Sequence, residues 1–382
     1  MQLKQWIKVG SACALLLATT ACAPNESDDS KMDSSIKYNG TYTGAFDTVL
    51  MMTSYGIAQE EAQVVFDNLA TMFQNSSNLF DIYNNYDGLF NIKTINDNAG
   101  KEAVKVDVDI INMLNLSKRL YDLSNGEFDI TSGALLKVWH NYREQGLIDN
   151  NNNKLAKLPT QQELSQAQAC SGWEHIHIDE DQSTVFIDDP CVSLDVGGVA
   201  KGFATEIMQT FAQENMDKGF IINAGGNSAL VHSKGNGQSW SVGIADPGNP
   251  NGSLFALTID AEQNVVTSGD YQRYFVGEDG LTYAHIIDPS TMYPPRDFRS
   301  VSIVCEDSGI ADGLSTILFT SSYDEGLRIL EKAKHEFGLD EIGAIWIWDD
   351  EKTLDKANEQ KIGEYTVLAS ENLRDDIVLI NQ

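Results

Sequence analysis

The sequence predicts an α+β fold in which mixed, largely antiparallel sheets pack against helices. Short segments rich in β-branched and aromatic residues dominate residues 219–304, whereas helical periodicity recurs before and after them. Strands grouped in this way favour hairpins over alternating strand–helix units. No Pro- or Ser-rich linker interrupts residues 38–370, so we expect one compact unit.

Apolar residues at helical spacing, with a polar opposite face, predict the helices. Two short strands, 175–179 and 184–187, predict a hairpin about the acidic turn 179–183. The predicted helices are 59–73, 108–123, 161–169, 199–211, 310–319 and 324–337. The predicted strands that follow the hairpin are 219–222, 229–232, 239–244, 254–259, 283–287, 300–304 and 342–348.

The charge balance excludes several classes of function. The 382 residues include 56 Asp and Glu against 26 Lys and Arg, a net charge of −30. A nucleic-acid binder needs basic residues in excess to neutralise phosphates, and adsorption to anionic lipid needs a basic surface. Because 42% of the residues are apolar, the chain can still bury a sizeable core.

The first 21 residues have the pattern of a secretory signal peptide. Lys4 and Lys8 precede a run of small and apolar residues, 9–21, which is shorter than the ~20 residues of a membrane span. The run ends in Ala21-Cys22, which resembles a bacterial lipobox, although Thr19 stands where Leu is usual. We expect lipidation at Cys22 and export, with the chain anchored to the cell membrane and facing the periplasm or the exterior. The alternative is an ordinary secreted protein cut near Ala21.

Residues 22–37 are polar and acidic, and they predict a flexible tether before a folded domain at 38–382. Without Lys4 and Lys8 the mature chain carries a net charge of −32. In an exported protein Cys170 and Cys191 could form a disulfide. Buried thiols, with Cys305 as a third, are the alternative that the sequence leaves open.

A glycine-rich turn at 194–202 is the first segment whose residues suggest a binding or catalytic role. A strand ending at Asp195 runs through Gly197 and Gly198 into a helix that carries Lys201 in its first turn. Glycines let a ligand approach the backbone, and a helix N-terminus offers N–H groups to phosphate. The familiar nucleotide motifs are absent, so a tight structural turn is the alternative.

Asp312 and Thr316 lie four residues apart, on one face of a predicted helix. A carboxylate and a hydroxyl are hard oxygen ligands of the kind that suits Mg²⁺ shared with substrate phosphates. Most such pairs are instead a helix cap or a solvated face.

Two further segments are less specific. His285 is a single histidine in an apolar segment, a pattern that is more often structural than catalytic. Gly126-Glu127-Phe128-Asp129 could stack on a ring and bond its edge, or could simply connect two elements.

Seven colinear motifs across residues 42–340 together resemble the ApbE family of FAD:protein FMN transferases. They are GEFDITSGALLKVW (126–139), SLDVGGVAKGFA (193–204), INAGGN (222–227), WSVGIADP (240–247), VVTSGDYQRYF (265–275), HIIDPST (285–291) and IADGLSTILF (310–319).

The resemblance implies a T-fold-related architecture and an activity. Family members use FAD as a substrate, with a divalent metal that is usually Mg²⁺. They transfer FMN to a Thr or Ser hydroxyl of an acceptor flavoprotein, a membrane redox subunit, and release AMP. We expect the hydroxyl to attack the FMN phosphorus directly.

The resemblance also implies site residues. The metal ligands fall on Asp312, Thr316, the main-chain oxygen of Gly198 and, in some members, the position of Ser315. The FAD contacts fall on Phe46, Tyr83, Glu127, Phe128, Asp129, Asp195, Lys201, His285 and Ile286. Asp312 and His285 are the catalytic candidates, with His285 or a nearby carboxylate as the base.

The sequence departs from the family pattern at two positions. Met292 replaces the usual Gly after the DPST segment, which predicts a different backbone shape for that turn. Ser315 is not a carboxylate, and the alignment of Phe46 with the family's early motif is loose.

Two other functions fit the same residues. A Mg²⁺-dependent FAD pyrophosphatase would use water in place of the acceptor hydroxyl and give FMN and AMP. A non-enzymatic, lipid-anchored FAD-binding protein would bind FAD without releasing AMP.

Overall fold

Backbone pairing in the computed structural model, which describes residues 36–235, 238–349 and 356–380, forms one nine-stranded antiparallel sheet and smaller sheets beside it. The helices are α1 Gln59–Leu79, α2 Ile92–Asp97, α3 Val108–Leu123, α4 Gly133–Asn151, α5 Gln161–Gln168, α6 Ala200–Asn215, α7 Ser308–Thr320 and α8 Tyr323–Phe337, with 3₁₀ turns at Trp173–His175 and Glu371–Asp376. The strands are β1 Lys37–Thr43, β2 Val49–Tyr55, β3 Val104–Lys105, β4 Ile176–Asp179, β5 Thr184–Ile187, β6 Phe220–Ala224, β7 Asn227–Val231, β8 Trp240–Asp246, β9 Asn249–Ile259, β10 Asn264–Gly269, β11 Tyr274–Val276, β12 Thr282–Ala284, β13 Ser300–Cys305, β14 Ile342–Asp349, β15 Gln360–Ile362, β16 Tyr365–Ala369 and β17 Ile377–Leu379.

The nine-stranded sheet runs in the order β1-β2-β6-β7-β10-β13-β14-β16-β15. Each of its pairs is antiparallel. The smaller sheets are β17-β9-β8, β3-β5-β4 and β11-β12. The described residues belong to a single compact unit, and their pairing confirms the predicted α+β fold with largely antiparallel sheets.

Both faces of the large sheet are buried, and β14 shows how its sequence divides between them. Ala344, Trp346 and Trp348 pack into the core shared with α1, α3, α6, α7 and α8. Ile345 and Ile347 point to the opposite face, where they pack against β8 and β9. A strand buried on both sides reads as a continuous apolar run, because its two faces alternate with period two.

A smaller apolar cluster packs α4 and α5 against β11 and β12. Trp139 of α4 stacks on Tyr283 with ring centroids 5.5 Å apart, and Phe275 stacks on the other side of Tyr283 at 5.6 Å. This cluster sets α4 beside the end of the large sheet, where the cavity described below opens.

The structure confirms the helix at 108–123 and the hairpin of β4 and β5. Helix α4 and the strands β1, β2 and β10 are additions that the periodicity did not predict. The strand predicted over 283–287 is wrong at its end. Its antiparallel partner β11 begins at Tyr274, which lies opposite Ala284, so β12 ends there and residues 285–287 have no paired strand residue opposite them.

The predicted signal peptide (1–21), Cys22 and most of the predicted tether (22–37) lie outside the described residues. The tether boundary was placed too late, because Lys37 already pairs with Tyr55 in β1 and the carbonyl of Ile36 accepts the N–H of Gly56 at 2.9 Å. In the described part of the chain, no helix combines the length and hydrophobicity needed to cross a bilayer.

Cys170 and Cys191 are joined by a disulfide across 21 residues, whereas Cys305 is a buried free thiol. The alternative of three buried thiols is therefore wrong.

Replacing both Cys170 and Cys191 with Ser should lower the free energy of unfolding by about 3 kcal/mol, because the cross-link restricts a loop of this length in the unfolded chain. Denaturant unfolding of the two proteins measures the difference. Reductant should shift the wild type toward the double variant and leave the variant unchanged. Equal midpoints for the two oxidised proteins would contradict the prediction.

Candidate functional site

A cavity of about 510 Å³ opens where the large sheet meets α4 and the N-terminal end of α6. Its walls come from separated parts of the chain, namely residues 44–48, 80–86, 127–143, 195–201, 225, 267–275, 284–289 and α7. Nearly all the predicted site residues line it: Phe46, Tyr83, Glu127, Phe128, Asp129, Asp195, Gly198, Lys201, His285, Ile286, Asp312 and Thr316.

Asp312 is fixed by a close approach of α6 and α7. Its Oδ2 accepts the backbone N–H of Gly202 at 2.7 Å, and its Oδ1 lies 3.8 Å from the Lys201 Nζ. A Cβ on Gly202 would stand 2.4 Å from the Asp312 Cβ, so only glycine permits this approach. One carboxylate oxygen is therefore anchored while the other faces the cavity lysine.

Thr316 lies one turn further along α7 and beside the glycine turn. A Cβ built on Gly198 would lie 3.5 Å from the Thr316 Oγ1 and 3.0 Å from the Phe128 ring. Among the described residues, the Thr316 hydroxyl makes one long contact of 3.4 Å, to the Ser268 Oγ. Its oxygen therefore remains available to a ligand.

Ser315 does not line the cavity. It is fully buried, donates to the Asp312 carbonyl at 2.9 Å, and lies 2.7 Å from the Ser268 Oγ. The structure therefore puts Ser315 behind the wall that Asp312 and Thr316 form.

The segment 127–129 is held rigidly before α4 begins. Glu127 accepts a hydrogen bond from Ser321, which caps the C-terminus of α7, at 2.7 Å. Asp129 accepts from the backbone N–H and the hydroxyl of Thr131 at 2.9 and 2.7 Å. Phe128 is buried between them against Gly198.

Tyr83 and Phe46 also line the cavity. The Tyr83 ring lies 5.2 Å from the His140 ring, and the Phe46 ring lies 4.9 Å from Phe73. Phe46 has a left-handed backbone with φ of 51°, and its N–H donates to the Ser77 Oγ at 2.9 Å.

His285 and Ile286 follow β12 and turn into the cavity. The His285 Nδ1 is buried and has no hydrogen-bond partner among the described residues. Burial, together with the positive charges of Arg273, Arg143 and Lys201, lowers the pKa of His285 to about 3. Its imidazole is therefore neutral at any physiological pH.

The sequence interpretation missed two cations and a histidine in the cavity. Arg143 and His140 lie one turn apart on α4, and the Arg143 Nη2 lies 3.1 Å from the His140 Nδ1. Arg273 donates to the Asp47 carbonyl at 3.1 Å. Arg273 lies inside the motif VVTSGDYQRYF, so that motif could have identified it as a site residue.

The cavity lining carries six carboxylates against three cations. Burial raises the pKa of Asp129 and of Asp195 above the ordinary value for an aspartate. The Gly197 N–H and the charges of His140 and Arg143 oppose that rise at Asp195. The raised pKa values lower the net negative charge that the lining presents to an anionic ligand.

The donor set at α7 fits a hard divalent cation. Asp312, Thr316 and Gly198 all line the cavity, and a carboxylate, a hydroxyl and a main-chain carbonyl are all oxygen donors. No cluster of three or more His, Cys, Asp or Glu that could hold a metal occurs within residues 36–235, 238–349 and 356–380. Because the set contains a single carboxylate, it suits a Mg²⁺ ion that keeps several waters and also binds phosphate oxygens of a substrate. It is less suited to an ion ligated by protein atoms alone.

The turn at Met292 keeps the conformation that glycine favours. Met292 has φ of 64°, and its carbonyl accepts the Trp139 indole N–H at 2.8 Å. This hydrogen bond and the Asp288–Tyr293 bridge hold the turn in place, and the expectation that its shape differs from that of the family stays a prediction.

Comparisons with known proteins agree with this geometry. The model of the ApbE family matches residues 46–339. An FAD:protein FMN transferase of Chlamydia trachomatis is 30% identical over 300 residues, which cover 77% of this chain and 85% of that protein. One of Klebsiella pneumoniae is 27% identical and covers 71% and 81%. The crystal structure of the ApbE protein of Thermotoga maritima aligns with a TM-score of 0.68 at 26% identity, over 81% of this chain and 94% of that one.

The His285 ring should stay neutral from pH 8 down to pH 5, because its pKa lies near 3. The ¹⁵N shifts of the ring nitrogens, assigned with His285→Gln, measure its protonation. His175 is the control: it is hydrogen-bonded to Asp188 at 2.7 Å, which raises its pKa, so it should titrate above the ordinary value of about 6.5. A His285 midpoint between pH 5 and 8 would show that the ring is more solvated than the cavity allows.

Proposed function

Because the chain belongs to the ApbE family, we propose that it transfers the FMN part of FAD to a Thr or Ser hydroxyl of an acceptor protein and releases AMP. The enzyme is a transferase. The observation that carries the proposal is that two segments of the chain converge in one cavity. The turn 195–201 brings Gly198 and Lys201 there, and α7 brings Asp312 and Thr316.

We propose that Asp312, Thr316 and the Gly198 carbonyl hold Mg²⁺. When bound, the ion supplies positive charge that neutralises the FAD pyrophosphate and stabilises the departing AMP. The ammonium of Lys201 lies 3.8 Å from the Asp312 Oδ1, so it adds charge at the same wall. The N-terminal end of α6, which begins at Ala200, adds the positive end of the helix dipole on the same side.

The proton of the acceptor hydroxyl needs a base. In the proposed reaction that oxygen bonds to the FMN phosphorus, the bond from phosphorus to the AMP oxygen breaks, and the proton moves to His285. The His285 Nδ1 is buried and has no hydrogen-bond partner among the described residues, so it is free to accept the proton. A pKa near 3 makes the ring a weak base in the empty cavity, and the proposed role therefore requires that the negative charges of bound FAD raise that pKa.

The flavin end of FAD is assigned to the wall of Tyr83, Phe46 and residues 127–129. Phe128 and Tyr83 offer aromatic surface, whereas Glu127 and Asp129 offer acceptors for the N–H and hydroxyl groups of the flavin and ribityl chain. The anchoring of Glu127 to Ser321 ties this wall to the helix that carries Asp312.

We also propose that the enzyme works outside the cytoplasm, anchored by lipid at Cys22, on a redox subunit of the same membrane. The Cys170–Cys191 disulfide supports an oxidising compartment.

Asp312→Ala should lower the rate of transfer by at least about 10³-fold, because one metal ligand and the anchor of the Gly202 N–H are lost together. Transfer is measured as covalent flavin fluorescence on envelope proteins incubated with enzyme, FAD and Mg²⁺, together with released AMP. A chelator should have a similar effect on the wild type.

Asp312→Asn serves as a second variant, since it keeps an acceptor for Gly202, and Asp324→Ala, at an exposed position on α8, is the control. Normal transfer by Asp312→Asn would overturn the metal assignment. Free FMN without labelled protein would indicate hydrolysis instead, and FAD binding without AMP would indicate a binding protein.

Arg143→Ala should weaken FAD binding by roughly ten- to hundredfold, the value of a charge-assisted hydrogen bond of about 1.5–3 kcal/mol. Arg143 is the α4 cation closest to His140, and its only ion pair in the described chain is with the exposed Glu144 at 3.3 Å. Quenching of flavin fluorescence measures the affinity, with Arg328→Ala on α8 as the control. Unchanged affinity would place the phosphates away from α4.

A further inference from the structure

A second cavity, of about 420 Å³, lies between the C-terminal end of β1 and helix α1. Its floor includes Leu50, Ala70 and Phe73, and its rim includes Thr43, Thr71 and Asn75. This β1–α1 groove meets the FAD cavity at Thr48 and Gln74, which line both. A molecule in the groove is therefore adjacent to the FAD cavity, across the loop 44–48.

The wall between the groove and the cavity is the loop 44–48. Thr43 and Ala45 line the groove, whereas Gly44, Phe46 and Asp47 line the cavity. Gly44, Phe46 and Asp47 have positive φ of 110°, 51° and 49°. Strained backbone of this kind persists where the surroundings fix it and is concentrated at functional sites.

The outer edge of strand β1 runs toward the β1–α1 groove and the loop 44–48. β1 is the first strand of the nine-stranded sheet and pairs only with β2 among the described strands. It has seven residues, no proline and one charged side chain, Lys37. Natural edge strands are normally protected against pairing, so an open edge that ends at an active site favours the addition of another strand.

The groove is nearly uncharged, which limits what it can bind. Its one charged lining residue is Asp67, and the Asp67 Oδ1 already accepts from the Tyr42 hydroxyl at 2.6 Å and from Gln63 at 2.7 Å. Recognition there depends on backbone hydrogen bonds and on a small or apolar side chain.

We propose that the β1–α1 groove docks the acceptor protein, through an extended and uncharged segment that lies along β1. One side chain of that segment enters the groove, and its Thr or Ser reaches over the loop 44–48 to the FMN phosphorus. This inference rests on the proposed function, because only a protein substrate needs a docking surface beside the FAD cavity.

The test blocks the groove without touching the FAD site. Thr71 is exposed on α1 and lines only the groove, so Thr71→Trp fills it. Val64→Trp, on the same helix at a position that is 61% exposed and outside the groove, is the matched control. Thr71→Ser keeps the groove open.

Covalent labelling of envelope proteins and FAD affinity are measured for each variant. We expect Thr71→Trp to label at least tenfold more slowly with unchanged FAD affinity and unfolding temperature, while Val64→Trp and Thr71→Ser match the wild type. Wild-type labelling by Thr71→Trp overturns the docking inference and leaves the transferase activity intact. No labelling by the wild type overturns the proposed function and the inference with it.

Sedimentation of the same proteins tests whether the groove is instead occupied by a second copy of this chain. A wild-type dimer that Thr71→Trp converts to a monomer would assign the groove to a second copy of this chain and would overturn the inference.

Discussion

The contact between α6 and α7 at Gly202 and Asp312 determines the geometry of the site. The 2.7 Å hydrogen bond from Gly202 orients the carboxylate, and the missing Cβ lets the helices approach until a side chain would stand 2.3 Å from the Ser308 carbonyl. Because Lys201 precedes Gly202 and Thr316 follows Asp312 by one turn, this one contact sets all three functional groups. The glycine in this helix is thus required by packing rather than by backbone conformation.

The same contact also matters for the proposed binding of an anionic dinucleotide by so acidic a protein. Long-range attraction is absent at a net charge of −30, and the cavity itself holds more carboxylates than cations. Under the proposed function, binding therefore depends on short-range interactions with the three cations around His285, with the N-terminal end of α6 and with a divalent ion at Asp312. Raised pKa values at Asp129 and Asp195 ease part of the remaining repulsion.

The sequence predicted best where one local rule dominated. The helix at 108–123 was predicted residue for residue because its apolar stripe faces a single core and Asp107 caps it. Helix α4 was missed because its inward face is shared between an apolar cluster, with Leu135 and Trp139, and the charged cavity, with His140 and Arg143. No continuous stripe results. The edge strand β1 was missed because Asn and Gly break its β-propensity and half its side chains are exposed.

Site residues were found where a motif carried them and missed where only the fold brought them in. His140 and Arg143 enter the cavity through the packing of α4, which no local pattern encodes. Ser315 shows the converse, since its position in a motif does not reveal that it lies behind the wall.

Arg273 connects the two halves of the proposed reaction. It lines the cavity, and its guanidinium also donates to the Asp47 carbonyl in the loop 44–48. Gly225 leaves room for Thr48 on the other side of that loop, where a Cβ would stand 1.8 Å from the Thr48 hydroxyl oxygen. An anion that binds Arg273 in the cavity therefore competes with the hydrogen bond from Arg273 to the loop 44–48, which is the wall of the β1–α1 groove. Since such coupling is reciprocal, a segment that stabilises the loop from the groove side must change the affinity for the anion by the same factor.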